Sequence, residues 1–491
     1  MYQSFVGLEV HIHLLTKAKV FCTCRNAFGD EPNTNICPGC MGYPGTLPTL
    51  NIEAMRMGCI VARALNCRIP EKTWFERKQY FYPDLPRNFQ LSQYASPLGQ
   101  QGFIDIEGKS GGREIKKRVR IKQCHLEEDA GKMIHTGTVS LLDYNRAGVS
   151  LLEIVTEPDM ENGEEAEVFI QQLRRMVRYL GVCDGNMEEG SLRGDANVSI
   201  NLPGKGLGRR VEIKNLNSSR FMKLGLNYEI SRQSALLDAG KTVAQETRLW
   251  NENRDETFPM REKENATDYR YFQEPDIPVF APDAAFLKSV DDALVELPLP
   301  RKKRFIGDYG LSEEQADLLC EEKPFADYFE AALEKAGSVP DAAVRIANLI
   351  LQDIKKLMGK NGIDLCAIGS MHLSPKRLAD IVSLSASGAI SGKSAKQVLE
   401  AVFLEDKDPK EIVKEKGLEI ISDPAQIAGL VKAVAETEAQ TLSQARAALS
   451  EGNEKRRRTL SAFLVGRVLA ASGGRADPAI TGNQIEELVN A

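Results

Sequence analysis

From Met187 to Arg220 the chain reads MEEGSLRGDANVSINLPGKGLGRRVEIKNLNSSR. Ala196, Val198, Ile200 and Leu202 alternate there with Asp195, Asn197, Ser199 and Asn201, the two-residue period of a strand with one buried face. After a turn rich in Gly and Pro the alternation resumes. Val211 and Ile213 are set against Arg210, Glu212 and Lys214, so the segment predicts a hairpin. Its polar face gathers carboxylates, cations and amides, the chemistry of a floor for an anionic ligand. Two distant segments repeat the device. In Gly7–His13, Leu8, Val10 and Ile12 form the apolar face and Glu9, His11 and His13 project together on the other. In Arg118–Glu128, Val119 and Ile121 turn inward; Arg120, Lys122 and, provided no bulge intervenes, Glu128 share the opposite face.

These strands offer Glu9, His11, Glu128, Asp195 and Glu212. Oxygen ligands with one imidazole suit Mg²⁺ or Mn²⁺, which bridge phosphate oxygens in phosphoryl-transfer sites. Half-solvated strands whose acids never meet would show the same alternation, and both readings stand at this point.

Elsewhere the pattern is simpler. Leu151-Leu-Glu-Ile-Val-Thr-Glu-Pro158 predicts a largely buried strand. Val168, Phe169, Leu173, Met176, Val177 and Leu180 fall at helical spacing, predicting a helix over about 163–180 closed by Gly181. Asn51 caps a predicted helix reaching Leu65. A further helix is expected over about 219–237; the N–H groups at its start, beside Lys214 and Arg220, suit a phosphate or, equally, Ser218 as a cap. Lys78-Gln-Tyr-Phe-Tyr-Pro-Asp-Leu-Pro86 sets aromatics beside a cation, either to stack bases or as core. Gln245–Pro278 is polar and irregular, with Arg248, Arg261, Asp268-Tyr-Arg-Tyr-Phe272 and Glu274-Pro-Asp-Ile-Pro278. It suits a charged, partly aromatic ligand or a partner's surface.

Strand signals stop near Leu297-Pro-Leu-Pro300, and short amphipathic helices follow over 312–322, 324–336, 340–358, 374–386 and 393–404. Asp406-Lys-Asp-Pro409 reads as a linker before helices near 410–416, 423–437, 440–450, 455–472 and 477–489. Three domains are expected: a sheet-rich one over 1–295, a helical connector over 296–407 and a small helical tail over 408–491. Gly388-Ala-Ile-Ser-Gly-Lys-Ser394 imitates a phosphate loop. It has three residues between its glycines where four are needed and follows a helix, so it is set aside. Lys455-Arg-Arg-Arg458 opens a helix where cations oppose the dipole; an RNA backbone or plain solvation would explain it.

The chain has 491 residues, a formal net charge of −6 and ten cysteines. The modest acidic balance argues against indiscriminate nucleic-acid binding; an RNA partner must be held by local basic patches. No apolar run has the length of a membrane span and no signal peptide is visible, so a cytoplasmic protein with no membrane partner is expected. Cys22-Thr-Cys24 and Cys37-Pro-Gly-Cys40 form a CxC/CxxC pair. With disulfides disfavoured in the cytoplasm, this predicts a closed, structural four-thiolate Zn²⁺ site, against four reduced thiols as the alternative. Cys59, Cys67, Cys124, Cys183, Cys320 and Cys366 read as small core residues.

GLEVHIHL, FCTCRNAFGDEPN with CPGCMGYPGTLP, RKQYFYPDLP, HLEEDAGK, YNRAGVSLLEIVTEPD, MEEGSLRGDANVSI, EIKNLNSSR and DYRYFQEPDIP occur in this order through the first 280 residues or so. Together they resemble the GatB/GatE family of glutamyl/aspartyl-tRNA amidotransferase proteins. The C-terminal helices resemble the family's connector and YqeY-like tail on weaker motifs. The resemblance implies an α+β protein: a glutamine-synthetase-like cradle on an antiparallel sheet, then two helical domains. It implies a heterotrimer with an amidase subunit, GatA, and a small subunit, GatC. The amidase supplies ammonia from glutamine. The GatB component uses ATP to phosphorylate the side-chain carboxylate of mischarged Glu-tRNA(Gln) or Asp-tRNA(Asn), and ammonia then displaces the phosphate. Carried over by motif, the Mg²⁺ ligands fall on Glu9, His11, Glu128 and Glu212. Asp195, Glu189, Arg193 and Lys214 become candidates for metal or phosphate contacts, and Lys78 for the inner end of an ammonia channel. The sequence departs from the family pattern at Gly194, where SLRCDAN is usual, at Gln273, where proline is frequent, and at Ser219, where NLNSF is usual. The first two border the proposed site, and neither removes a ligand.

Overall fold

The computed structural model describes residues 2–260 and 269–491. The chain divides into two compact units, Met1–Leu299 and Pro300–Ala491.

The first unit is built on an eight-stranded sheet. Its strands are β1 (Gln3–His13), β2 (Gly99–Ser110), β3 (Arg113–Glu128), β4 (Ser150–Thr156), β5 (Leu192–Asn201), β6 (Val211–Lys214), β7 (Thr247–Asn251) and β8 (Glu256–Pro259). In space they run β8-β7-β6-β5-β1-β4-β3-β2. Neighbours pair antiparallel except β6 with β7. Between those two the chain passes through the helix Ser219–Asp238 and returns in the same direction, as a parallel pair requires. The expected antiparallel sheet is present, made mixed by this one parallel pair.

Alternation decides which face is buried. Val6, Leu8, Val10 and Ile12 of β1 and Ala196, Val198 and Ile200 of β5 lie in the core. Three helices cover that face: α1 (Ile52–Ala64), α2 (Gly163–Tyr179) and α3 (Ser219–Asp238). Each starts on a side-chain cap, where Asn51, Asn162 and Ser218 accept from the backbone N–H groups of Glu53, Glu165 and Phe221. Of the two expectations for the start of α3, the Ser218 cap is the one realised.

One irregularity governs the opposite face. Between Ile121 and Gln123 the register of β3 against β4 slips by one residue, leaving Lys122 as the extra residue of a bulge. The bulge inverts the alternation beyond it. Cys124 and Leu126 turn into the core opposite Ile154 and Leu152, while Gln123, His125 and Glu127 emerge on the polar face. Glu128 consequently points inward opposite Ser150. The expectation that it shares the face of Arg120 requires a regular strand, and the strand is not regular.

A three-stranded sheet of Glu76–Gln79, Phe89–Ser92 and Phe272–Gln273 lies in the same unit. Leu126 N–H donates to Gln93 Oε1 at 2.8 Å, fixing this small sheet to β3.

The second unit is helical and holds two cores. Phe305, Phe329, Ile346, Ile381 and Val398 belong to the first, which also takes in Ile412, Val413 and Leu418. Ile427, Leu464, Val468 and Ile485 belong to the second. Pro298–Tyr309, for which the pattern predicts no element, is a helix; proline is tolerated in a first turn, where no N–H is required. Ser391 caps the helix Gly392–Leu404 through Ser394 N–H, so the imitation phosphate loop is an ordinary helix start. No helix among the described residues is long and apolar enough to cross a membrane.

Gly102 marks where β2 passes the end of α1. An added Cβ there would stand 2.3 Å from the Leu65 carbonyl oxygen and 2.4 Å from Cys67 Sγ. Gly102→Ala should destabilise this unit by about 1–3 kcal/mol. Both tryptophans, Trp74 and Trp250, lie in this unit, so an unchanged fluorescence-detected unfolding midpoint would contradict the close packing.

Candidate active site

The strand register assembles the polar face directly. Glu9 of β1 stands between Val155 of β4 and Asp195 of β5; His11 stands between Glu153 and Arg193. His125 of β3 lies opposite Glu153. On the other flank Glu212 of β6 faces Asn197 of β5. Five carboxylates, those of Glu9, Glu127, Glu153, Asp195 and Glu212, thus share one sheet face with three imidazoles, those of His11, His13 and His125, and with Arg193 and Lys214.

At its centre His11 Nε2 lies 3.7 Å from a Glu127 oxygen and 3.5 Å from a Glu153 oxygen. Donor atoms of these three residues lie within 4.8 Å of one another. His125 Nε2 approaches the same pair, at 3.0 Å from Glu153 and 3.7 Å from Glu127. Its Nδ1 is buried without a hydrogen-bond partner among the described residues. Glu9 accepts from Asn197 Nδ2 at 2.9 Å. Lys214 is paired with Asp195 and lies 3.1 Å from Glu212. Beside them His13 Nε2 meets Asp129 at 2.7 Å, and Arg193 donates to the other oxygen of Asp129 at 2.9 Å.

Crowding like charges in a partly dry site shifts their protonation. Burial, then the charges of Glu153 and Glu212, push the Glu9 carboxyl up. Burial works against a charged His125, but Glu153 and Glu127 overcome it and raise the imidazole to about 10. Burial likewise opposes a charged His11, and the same two acids raise it. Burial disfavours the ionised Glu153, yet the two imidazoles hold it well below the usual carboxylate range. Asp129 is held low against burial by Arg193 and His13. Lys214 is kept charged against burial by Asp195 and Glu212. The face therefore neutralises itself in part by charging its histidines. Several carboxylates with one accessible imidazole, carrying excess negative charge, fit a hard divalent cation.

The other expected residues fall as follows. Glu9, His11, Glu212, Arg193, Asp195 and Lys214 are on the face. Glu128 is not: paired with Arg87, it accepts from Leu91 N–H at 2.9 Å, so its carboxylate ties the small sheet to β3. Glu189 is exposed in the turn before β5, its backbone N–H donating to Asn186 Oδ1. Lys78 sits in the small sheet, its Nζ 5.7 and 5.1 Å from the ring centres of Tyr80 and Tyr269. Burial, then acidic neighbours that include Glu127, raises the Tyr80 hydroxyl. The Tyr271 hydroxyl is raised by burial and then by Glu127 itself. An aromatic layer therefore stands beside the carboxylates. Arg248 is buried in a network with Glu246 and Glu229 and serves the fold. Arg261 and Asp268 lie outside the described residues.

Alternation misses three residues of the centre: Glu127, Glu153 and His125. Glu153 carries a signal, as the lone carboxylate within the apolar run Leu151–Val155.

Cys22, Cys24, Cys37 and Cys40 form a separate cluster, with all four sulfurs within 4.8 Å of one another. Cys37 N–H donates to Cys40 Sγ at 3.2 Å. The Cys40 thiol is lowered to about 5, first by the hydrogen bond from Cys22 and further by Lys19. Four converging sulfurs, one already favouring the thiolate, fit a structural zinc.

Known proteins resemble this chain along its whole length. The GatB/GatE catalytic domain matches residues 4–288 and the GatB domain residues 327–489. The B component of the aspartyl/glutamyl-tRNA(Asn/Gln) amidotransferase of Crocosphaera subtropica is 42% identical over 499 residues, spanning 100% of this chain and 98% of the relative. Its namesake in Thermosynechococcus vestitus is 43% identical, spanning 100% of this chain and 97% of the relative. That of Carboxydothermus hydrogenoformans is 42% identical over 97% of this chain and 96% of its own. The chain is α+β, a mixed sheet followed by helices, and it belongs to the GatB/GatE family of tRNA-dependent amidotransferase components.

Proposed function

We propose that this protein carries out the ATP-dependent half of transamidation on mischarged Glu-tRNA(Gln), Asp-tRNA(Asn) or both. The side-chain carboxylate of the misacylated residue attacks the γ-phosphorus of ATP and ADP leaves. Ammonia delivered by a partner amidase of the GatA kind, in a heterotrimer completed by a GatC-type protein, then displaces phosphate and leaves the amide. The reaction is cytoplasmic, where aminoacyl-tRNA is made. The carboxylate cluster centred on His11, Glu127 and Glu153 is the observation that carries this reading. A carboxylate is a poor acceptor for ammonia until one oxygen becomes a leaving group, and it must first be brought to an equally negative triphosphate.

His11, Glu127 and Glu153 would hold Mg²⁺ or Mn²⁺, with Glu9 and Glu212 alongside. Bound there, the cation supplies neutralisation of phosphate charge. The chain's own residues do the rest. Lys214 and Arg193, held charged by Asp195 and Asp129, are fixed cations for anionic oxygens on either flank. His125 holds Glu153 in position from the side away from β1. Tyr80, Tyr269 and Tyr271, with Lys78 among them, wall the cluster on one side. Their half-buried rings limit the access of water, so that ammonia rather than water meets the activated carboxyl. Glu128 takes the anchoring role described above, and Glu189 stays outside the chemistry. Cys22, Cys24, Cys37 and Cys40 hold Zn²⁺ and order residues 20–45.

In the assembled heterotrimer, Glu153→Gln and Glu212→Gln should each lower amide formation on mischarged tRNA at least about 100-fold, with glutamine hydrolysis by the partner retained. Undiminished amidation in both would refute the cluster's role. Glu128→Gln separates the two carboxylates of β3: it should lower the unfolding midpoint while leaving the metal dependence of amidation unchanged. The zinc assignment predicts one equivalent of metal per chain by elemental analysis and a loss of tryptophan-reported stability on chelation; four freely titratable thiols with no bound metal would overturn it.

A further inference from the structure

Lys19, beside the cysteine cluster, is fully buried at 0% exposure. Lysine is almost never so buried without a charged partner, because its ammonium loses its hydration. The backbone fixes the residue in place. Lys19 N–H donates to the Cys24 carbonyl at 3.0 Å, and Asn51, the cap of α1, donates through Nδ2 to the Lys19 carbonyl at 3.3 Å. At the other end of the side chain, Nζ donates to the Tyr144 carbonyl at 3.2 Å and lies 4.0 Å from Cys40 Sγ. No carboxylate among the described residues comes within ion-pair distance of it. Glu128 does reach the same corner: a Cβ added at Gly148 would stand 3.5 Å from Lys19 Cδ, 3.9 Å from Cys40 Cβ and 3.9 Å from Glu128 Oε2. That carboxylate, however, is committed to Arg87 and to Leu91 N–H.

A buried ammonium with a carbonyl and a sulfur for neighbours lacks an anion, and the cysteine sulfurs can supply one. Four thiolates on a divalent cation leave two negative charges uncancelled, and in a dry site that excess is costly unless a fixed cation stands beside it. The other uses of a buried lysine fit less well. A nucleophile or base must be reached by its substrate, and Lys19 has no exposed surface. Plain packing would be served by an apolar side chain of the same length, without the desolvation of a charge. We propose that Lys19 is the internal counter-cation of the cysteine site: its ammonium offsets the charge that the thiolates keep around Zn²⁺ and so sets how tightly the metal is held. This rests on the zinc assignment made above. Because its stem meets Cys40 and Glu128 at Gly148, the same cation joins the cysteine cluster to the corner where Glu128 fastens the small sheet.

The test uses the complete heterotrimer carrying Lys19→Met, which keeps the bulk of the side chain without its charge, or Lys19→Gln, which keeps a donor for the Tyr144 carbonyl. Zn²⁺ itself is the probe, its affinity read by competition with a metal-binding dye. Co²⁺ in its place reports, through its thiolate absorption band, whether all four sulfurs still bind. Both variants should hold Zn²⁺ about 10- to 100-fold more weakly than the parent, with the Co²⁺–thiolate band undiminished at saturation. Unchanged affinity in both variants overturns the proposal. So does a loss confined to Lys19→Met, which would assign the effect to the hydrogen bond, and so does a diminished Co²⁺ band, which would mean displaced ligands. Where only one variant assembles, its affinity and its band decide. A parent that binds no Zn²⁺ would sink the zinc assignment itself, whereas a parent that binds one equivalent beside variants that bind as tightly would sink the role of Lys19 alone.

Discussion

The polar face of the large sheet holds more negative charge than its own cations balance. Glu9, Glu127, Glu153, Asp195 and Glu212 are brought together by strand register alone, and hydrogen-bonded pairing leaves them no freedom to spread. The consequences radiate outward. His11 and His125 are driven towards their charged forms. Lys214 stays protonated in surroundings that would otherwise neutralise it. Arg193 is held between Asp129 and the cluster, and its guanidinium remains charged despite burial. Such an arrangement costs folding free energy, because buried like charges repel and dehydrated ones are expensive. The face opposite compensates with an apolar layer of strand and helix side chains. The strain is concentrated where a charged ligand would relieve it.

How much of this is legible in the sequence follows from where the backbone keeps its period. In β1, β5 and β6 the alternation is unbroken, and Glu9, His11, Asp195, Glu212 and Lys214 can be assigned to one face without coordinates. In β3 a single extra residue exchanges inside for outside, so alternation points to Glu128 where Glu127 stands. A bulge leaves little local trace: Lys122 is as ordinary a residue in a bulge as in a strand. Glu153 escapes alternation for another reason, its one trace being that it is the lone carboxylate of its run. Its strand is central, apolar on both flanks, and a central strand shows a continuous hydrophobic run instead of alternation. The cysteine cluster is visible because four sulfurs at short spacing have few other uses outside an oxidising compartment. The helix Pro298–Tyr309 is not, because Pro298 and Pro300 interrupt the helical pattern although both fall in its first turn.

The aromatic layer shows how weak signals gain meaning through topology. Lys78 and Tyr80 are close in sequence, but Tyr269 and Tyr271 come from nearly two hundred residues later. They meet because Phe272–Gln273 pairs with Glu76–Gln79. Neither segment by itself distinguishes a core from a binding wall. Side by side, with Tyr271 stacked on Tyr94 and close enough to feel Glu127 and Glu153, they enclose one flank of the polar face.

The neighbours Glu127 and Glu128 divide their labour by direction: one looks toward the ligand, the other fastens the small sheet. Because that division depends on counting residues from the bulge, the stretch from Lys122 to Glu128 is constrained in length more strictly than in composition. A side chain there can be exchanged and lose one contact. An insertion or deletion would swap the two carboxylates and detach the aromatic wall at once. The turn joining β2 to β3, two glycines with nothing packed upon Gly112, is free of that constraint, so this chain would tolerate added residues at the hairpin tip and very few between bulge and active face.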